Sequence, residues 1–260
     1  VLVVENLECY ERQVKNQKLP KLKTIVLMSD EKTPQGLVSF ADFLLSGKDV
    51  SDALLDERQS QTTENDVGTM IYTSGTTGNP KSVMLSHRSL AWIVSSAVKA
   101  WDCNSSDSAV SYLPLAHVAE QMFTIYAPIE AGMKSYFTPT FDALSTTIKD
   151  VRPTIFFGVP RVYEKMYSAI NNALKKKGKA VQNLVRHFSK IACKYYEAKN
   201  QGKKPSMLVT LQYQLGAKKI FQSIKDQIGF SRTRICVSGA APISKEIVTF
   251  FTGQIGRASC

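Results

Sequence analysis

Short runs of apolar and β-branched residues alternate along the chain with longer segments in which apolar residues recur at helical spacing. Strands that alternate with helices favour a parallel sheet covered on both faces, so the pattern predicts an α/β fold with largely parallel sheets covered by helices. The predicted helices cover Leu7–Lys15, Leu90–Val98, Val118–Glu130 and Arg161–Leu174. The predicted strands are Leu2–Val4, Thr24–Met28, Thr69–Tyr72, Ala109–Leu113, Lys134–Phe137, Thr154–Phe157 and Arg234–Val237.

Two polar stretches interrupt this pattern. Ser46–Val67 is polar and contains several acids, which predicts a surface helix followed by a linker. Asn171–Pro205 predicts a long basic helical region that breaks near Gly178 and Gly202. Ligands of such folds collect in loops at the carboxyl ends of strands, so we expect chemistry where polar motifs directly follow predicted strands.

The net charge of +11 is concentrated in one segment. Asn171–Arg234 holds fifteen lysines and arginines against two acids, Glu197 and Asp226. One interpretation is a peripheral contact with anionic lipid head groups or with the phosphates of coenzyme A. A solvated helical face is an equally good interpretation. Because no aromatic stacking platform or recognition motif accompanies the lysines, we expect no specific nucleic acid partner.

The five cysteines are far apart, odd in number and form no CxxC pair. This spacing argues against a disulfide framework and against a cysteine metal site, and we predict no residues as metal ligands. The chain opens on no signal peptide pattern, and no apolar run is long enough to span a bilayer. We therefore predict a cytoplasmic location, which includes the cytosolic face of the endoplasmic reticulum or of another membrane.

The segment Tyr72–His87, YTSGTTGNPKSVMLSH, places hydroxyl groups, glycines and a lysine directly after a predicted strand. Gly75 and Gly78 allow a tight turn, while backbone N–H groups, hydroxyls and the Lys81 charge suit a polyphosphate. The spacing is close to that of a Walker A loop, but Pro80 stands where that motif needs glycine, which excludes it. The candidate phosphate-binding residues are Thr73, Ser74, Gly75, Thr76, Thr77, Gly78 and Lys81.

This segment resembles the phosphate-loop signature of the adenylate-forming enzymes, the superfamily of acyl-CoA synthetases, luciferases and peptide-synthetase adenylation domains. Three further stretches resemble motifs of this family. Any one of them could be an ordinary strand exit or helix start, but together they occur in the same order along the chain as the family's motifs. They are SYLPLAHVAEQ at Ser111–Gln121, IFFGVPRVYEKM at Ile155–Met166 and RICVSGAAPIS at Arg234–Ser244. The GVPRVYEKM stretch and the basic insert are similar to long-chain members, with the bubblegum-type synthetases nearest. One departure is Ser82, where the family usually has glycine.

The resemblance implies a ligase that activates a long-chain fatty acid through an acyl-adenylate and transfers it to a thiol. ATP, Mg²⁺ and coenzyme A are the implied cofactors and co-substrates. By the same resemblance, Thr76, Lys81 and His117 are the expected catalytic residues. The expected adenine-binding residues are Gly239, Ala240, Ala241 and Pro242. The apolar residues that either line an acyl tunnel or belong to the core are Phe123, Tyr126, Ile129 and Phe157.

The resemblance also implies domain boundaries. We expect residues 1–253 to be a partial AMP-binding N-terminal domain, with the phosphate loop at 72–87 and a basic helical insert at 171–234. The tail QIGRASC at 254–260 does not resemble the family, and we expect the C-terminal lid domain to be absent. A fragment of this kind is not expected to be fully active. Two alternatives stay open: a non-catalytic pseudoenzyme or binding module derived from the same domain, and another adenylate-forming ligase.

Overall fold

The structure, a computed structural model, describes residues 1–73, 79–255 and 257–259. The chain divides into two compact units, Val1–Thr63 and Glu64–Cys260. The first unit contains a parallel sheet in the order β1–β2–β3. Its elements are β1 (Leu2–Val4), α1 (Leu7–Gln13), β2 (Ile25–Leu27), β3 (Val38–Ser39), α2 (Phe40–Leu45) and α3 (Asp52–Ser60). Its three helices begin where the side chains of Asn6, Ser39 and Ser51 accept backbone N–H groups.

The second unit begins with an antiparallel hairpin of β4 (Val67–Thr73) and β5 (Lys81–Ser86), followed by α4 (His87–Trp101). Sequence analysis predicted β4 but missed β5. The reason is that residues 81–84 are all exposed, so β5 lacks the alternation of buried and exposed side chains by which a strand is recognised. In this hairpin β4, the strand before the predicted phosphate loop, is antiparallel to β5, whereas the later strands of the second unit pair in parallel.

The remaining strands form parallel pairs. They are β6 (Ser108–Ser111), β7 (Lys134–Phe137), β8 (Ile155–Gly158), β9 (Ile235–Ser238) and β10 (Arg257–Ser259). Strand β6 pairs with β7, and β9 pairs with both β8 and β10. Strand β6 also runs beside β8. The two strands are joined where they begin, since the Thr154 amide donates to the Ser108 carbonyl at 3.0 Å. The prediction of largely parallel sheets is therefore confirmed.

Helices cover both faces of these strands. On one face Phe156 and Cys236 pack with α7 (Leu144–Val151), α8 (Pro160–Lys175) and α12 (Lys245–Ile255). On the other face, the neighbouring side chains of Phe157 and Val237 pack with Phe123 and Trp101. The alternation of side chains along each strand thus separates two apolar cores, and the sheet lies between them.

The predicted helix Val118–Glu130 is interrupted by a π-helical turn. Helix α5 (Val118–Gln121) continues through that turn, Met122–Tyr126, into α6 (Ala127–Ala131). Pro128 has no N–H, so it cannot bond the carbonyl of Thr124 as an α-helical residue would. The Ser135 hydroxyl donates to that carbonyl instead, at 3.3 Å. The local change in winding is therefore explained by proline.

The basic region is helical and breaks where the sequence predicted. Helix α8 ends at Lys175, and α9 (Lys179–Asn200) begins after Gly178. The next break includes Gly202, whose φ of 69° is favourable for glycine. After it come α10 (Met207–Gln212), a π-helical turn (Tyr213–Ala217) and α11 (Lys218–Ile228).

Candidate functional site

The loop that contains His117 leaves the carboxyl end of β6. The sequence predicted that this strand would extend to Leu113. The strand β6 ends at Ser111 instead, because the Tyr112 amide donates to the Glu120 side chain at 3.1 Å. His117 is exposed and precedes the first turn of α5, with its backbone carbonyl accepting from the Glu120 amide at 3.0 Å. The fold therefore presents the imidazole at the surface of a loop that is fixed at both ends.

Glu120 is a buried acid that sequence reasoning did not select. Only 2% of its surface is exposed, and one carboxylate oxygen accepts three hydrogen bonds. The donors are the Ser111 hydroxyl at 2.6 Å, the Thr124 hydroxyl at 2.8 Å and the Tyr112 amide. Its neighbour Gln121 donates from Nε2 to the Leu115 carbonyl at 2.7 Å. These two side chains hold the His117 loop against β6.

The segment Gly239–Pro242 directly follows β9. Ala240, Ala241 and Pro242 are exposed, and Ala240 has a left-handed backbone with φ of 72°. The side chains along this loop are no larger than a methyl group or a proline ring, so a flat ring could approach the backbone closely. Just before the loop, the Ser238 hydroxyl is buried and has no hydrogen-bond partner within the described part of the chain.

Both loops lie at one edge of the sheet. Gly158 and Ser238 are register partners at the carboxyl ends of β8 and β9. The Val159 amide, just beyond β8, donates to the Tyr112 hydroxyl just beyond β6 at 3.2 Å. Burial raises the pKa of Tyr112 to about 12, so this phenol stays neutral at physiological pH. The structure thus brings the His117 loop and Gly239–Pro242 to the same edge, with the end of β8 between them.

The expected phosphate loop is described at its two ends only. Thr73 and Lys81 are opposite each other where β4 ends and β5 begins, and the Thr73 hydroxyl donates to the Lys81 carbonyl at 3.4 Å. Lys81 is exposed, and so is Ser82 beside it. The other expected phosphate-binding residues, Ser74, Gly75, Thr76, Thr77 and Gly78, lie outside the described residues.

The apolar residues expected near an acyl group separate into two kinds. Phe157 is 7% exposed and stacks on Phe123 with ring centroids 4.8 Å apart. Ile129 is 76% exposed, which is incompatible with a place in the core. Tyr126 is half-buried. Phe123 and Phe157 pack on the face of the sheet that carries the helix after His117.

A charged cluster lies at the opposite, amino-terminal edge of the strands. Asp107, 2% exposed, accepts hydrogen bonds from Arg234 Nε at 3.0 Å and from the Thr154 hydroxyl at 2.6 Å. Burial would raise the pKa of Asp107, but these bonds outweigh it and the pKa stays below its ordinary value. Each of the three residues directly precedes a strand, so the cluster fixes the register of β6, β8 and β9 away from the candidate site.

Within residues 1–73, 79–255 and 257–259, no group of three or more histidine, cysteine or acidic side chains could hold a metal ion. In the same part of the chain, no helix combines the length and apolar character needed to cross a bilayer.

Comparison with protein families tests the resemblance to the adenylate-forming enzymes. Residues 1–259 match the family of AMP-binding enzymes. The chain belongs to this family. The match includes residues 254–259, which the sequence analysis placed in the tail. Membership confirms the resemblance drawn from the four motifs.

Several relatives within this family are named long-chain-fatty-acid–CoA ligases. The long-chain-fatty-acid–CoA ligase ACSBG2 of Xenopus laevis is 36% identical over 265 residues, and that of Homo sapiens is 33% identical over 260. Each alignment covers 96% of this chain, but 35% and 38% of the respective relative. The long-chain-fatty-acid–CoA ligase heimdall of Drosophila melanogaster is 34% identical over 211 residues, 78% of this chain and 30% of its own. The chain therefore spans about a third of the length of the curated relatives it matches.

Solved structures support the fold. The anthranilate CoA ligase AuaEII, solved with anthranoyl-AMP, aligns with a TM-score of 0.62 at 19% identity, over 100% of this chain and 40% of its own. The luciferase-like enzyme of the mealworm Zophobas morio aligns with a TM-score of 0.56 at 17% identity, over 98% of this chain and 46% of its own. The predicted fold class, that of the N-terminal domain of adenylate-forming enzymes, is confirmed.

Proposed function

We propose that this chain is the nucleotide-binding part of a long-chain fatty acid–CoA ligase. The observation that carries the proposal is that the His117 loop and Gly239–Pro242 lie at the same edge of a parallel sheet, on either side of the end of β8, in a chain whose relatives bear that name. Such an edge is where ligands of α/β folds bind. The family implies ATP and coenzyme A as co-substrates, and Mg²⁺ is proposed to accompany ATP.

The proposed reaction joins a fatty acid carboxylate to the α-phosphorus of ATP and releases pyrophosphate. The thiol of coenzyme A then attacks the acyl carbon, which forms the thioester and releases AMP. A carboxylate is a weak nucleophile that must approach an anionic phosphate, so neutralising charge and positioning the reactants supply the rate. Lys81 is proposed to offset charge on the polyphosphate, and residues 73–78 are proposed to hold its β- and γ-phosphates through hydroxyl and backbone N–H groups. His117 is proposed to lie beside the junction of acyl group and phosphate, with Lys81 and Thr76 as the other catalytic residues.

The residues beyond β9 are proposed to bind adenine. Gly239, Ala240 and Ala241 offer backbone polar groups and a surface free of bulky side chains, which suits a flat purine. The Ser238 hydroxyl, buried and without a hydrogen-bond partner in the described part of the chain, supports this assignment because a bound ligand could supply its missing partner. We further propose that residues 1–253 belong to the AMP-binding domain.

We further propose that the protein makes a peripheral contact with a membrane. Long-chain fatty acids partition into membranes, and the basic insert 171–234 would meet anionic head groups. The proposed location is therefore the cytoplasm, at the cytosolic face of the endoplasmic reticulum or of another membrane.

Fatty-acid-dependent exchange of radiolabelled pyrophosphate into ATP tests the proposal in the complete protein that carries this chain. With palmitate we expect exchange, and Lys81→Ala should raise the Kd for ATP because one charge-assisted contact, worth about 1.5–3 kcal/mol, is lost. Lys134→Ala is the matched control, because Lys134 is exposed at the amino-terminal edge of β7.

Two results would contradict the assignment. Exchange that depends on an amino acid rather than on palmitate would identify another adenylate-forming ligase. Absence of exchange with every carboxylate, in a protein that still binds ATP, would identify a non-catalytic relative.

A further inference from the structure

A cavity of about 750 Å³ lies among the helices of the second unit. Its walls come from α7, α8, the start of α9 and α11, and we refer to it as the helical groove. The floor is apolar and buried: Leu144, Ile148 and Val162 are each 5% exposed or less. The wall formed by α9 is open, with Val181 and Leu184 42% and 48% exposed. Both the volume and the apolar lining are typical of small-molecule sites.

The helical groove lies on the opposite face of the sheet from Phe123 and Phe157. Leu144, Ile148 and Val162 belong to the apolar core on the Phe156 face of the sheet. Phe123, which follows the His117 loop, packs on the opposite, Phe157 face. A ligand in the helical groove would therefore lie across the sheet from Phe123 and Phe157.

The residues that line the groove carry an excess of positive charge. Lys149, Lys165 and Lys177 line it, and Asp142 is the one acid in its described lining. None of the three lysines takes part in the ion pairs found in the described residues, and all three are exposed. Lys165 Nζ lies 5.1 Å from the centroid of the Phe141 ring, where an ammonium group and an aromatic wall meet at the rim.

The spacing of two lining lysines indicates how far the groove extends along α8. Lys165 and Lys177 are twelve positions apart along and just beyond α8, which corresponds to about 18 Å at the rise of an α-helix. A ligand that satisfies this lining is long, apolar and anionic at one end. We propose that the helical groove binds a long-chain fatty carboxylate at a site distinct from the adenylate site, with the carboxylate beside a rim lysine.

Fluorescence titration with cis-parinarate, a long-chain fatty acid that becomes fluorescent in apolar surroundings, tests occupancy of the groove. Ala169→Trp fills the groove from an exposed position in its lining, so we expect affinity to fall about tenfold or more. Ser168→Trp is the matched control, because Ser168 is exposed on the same helix and outside the lining. Equal affinity in the two variants would overturn the proposal.

The role of the lysines is tested by competition. In Lys165→Gln/Lys177→Gln, palmitate should displace the probe several-fold less well, whereas hexadecanol, which has no charge, should compete as before. Lys175→Gln/Lys176→Gln removes two neighbouring charges outside the lining and should change neither competitor. An equal loss for palmitate and hexadecanol would refute carboxylate recognition.

A third measurement separates this site from the proposed ligase site. With a non-hydrolysable palmitoyl-adenylate analogue at saturation, cis-parinarate should still bind in a manner sensitive to Ala169→Trp. Complete displacement by the analogue would mean that one acyl site explains all binding, and the proposal would fail. Binding by this chain but not by the complete protein would show another segment covering the groove, and would also overturn it. Pyrophosphate exchange does not depend on the groove, so the two proposals fail independently.

Discussion

At the scale of the residue, the candidate site depends on a carboxylate that does not reach the surface. Glu120 collects two hydroxyl donors and one amide donor at a single oxygen, and all of them belong to the strand end or helix that frame the His117 loop. A buried group of this kind is costly to leave unpaired but stabilising when its partners are present. Its role is therefore to position the loop, with no contact to a substrate required.

Glu120→Ala should destabilise the protein and loosen the loop. Removing the acceptor leaves the Tyr112 amide without its hydrogen bond, and we expect a loss of about 2–3 kcal/mol in the free energy of unfolding. Chemical denaturation measures it, and Glu164→Ala, at an exposed acid on α8, is the control. Glu120→Gln keeps an acceptor oxygen and should restore most of the stability. A Gln variant as unstable as the Ala variant would argue against this hydrogen-bonding role.

Asp107 predicts how stability depends on pH. Its pKa is lowered in the folded state, so ionised Asp107 stabilises the fold above its ordinary value of 3.8, and this contribution is lost as the pH falls through the folded pKa. Asp107→Asn should cost about 1–3 kcal/mol at neutral pH, since Arg234 is partly exposed.

The Asn variant should also lose stability less steeply with acid below about pH 4 than the unmodified protein does. Urea denaturation at a series of pH values measures this slope, with the exposed Asp150→Asn as the control. Identical slopes below pH 4 in all three proteins would show that Asp107 is not a source of the acid sensitivity.

At the scale of the element, the close packing of α7 against the end of α11 depends on the residue that directly follows α11. Helix α11 ends next to Gly229, which has φ of 81°, and the following Phe230 is fully buried in the core. A Cβ at Gly229 would lie 2.5 Å from the Ile148 carbonyl oxygen of α7. The close approach of α7 and the end of α11 therefore requires glycine at this position.

Gly229→Ala should be much more destabilising than Gly202→Ala. Both glycines have positive φ, but a Cβ at Gly202 would meet nothing within 4 Å. The shared cost of a left-handed alanine is about 1–2 kcal/mol, and the collision at Gly229 should add about 1–3 kcal/mol. Thermal denaturation of the two variants compares them directly. Equal melting temperatures would mean that α7 moves away at little cost.

At the scale of the whole molecule, the uneven distribution of charge is the property with the widest consequence. The net charge of +11 is carried by the insert 171–234, whose helices also form part of the helical groove. Charge on one segment supports attraction to an anionic surface that weakens with salt. No helix among the described residues of this segment is long and apolar enough to cross a bilayer.

Vesicle sedimentation tests this contact. The protein should bind phosphatidylserine vesicles at low salt and bind phosphatidylcholine vesicles weakly. Changing Lys179, Lys203 and Lys204 together to glutamine should weaken binding about tenfold or more, since each basic residue near the surface contributes about 1 kcal/mol. The same change at Lys18, Lys21 and Lys23 in the first unit keeps the net charge equal and is the control. Equal effects of both triple variants would indicate attraction to total charge only.

The sequence by itself determined the family, most of the strands and the loops that carry chemistry. Leu2–Val4 and Lys134–Phe137 coincide with β1 and β7. Thr154–Phe157 overlaps β8, whose residues are all buried, because a local apolar run often reports local burial. Motifs such as SGAAPIS are contiguous, so their identity needs no knowledge of contacts between distant residues. Strand β5 escaped because both its faces are exposed at residues 81–84, which leaves no pattern to read.

Only the tertiary structure decided which residues meet. Glu120 gains its role from burial against Ser111 and Tyr112, and Asp107 from Arg234, which is 127 positions away along the chain. The helical groove likewise exists only because α7, α8, α9 and α11 pack together. Burial and pairing between distant residues depend on topology, whereas periodicity and motif depend on neighbours in sequence. That difference in range explains why the site loops were predictable and their supports were not.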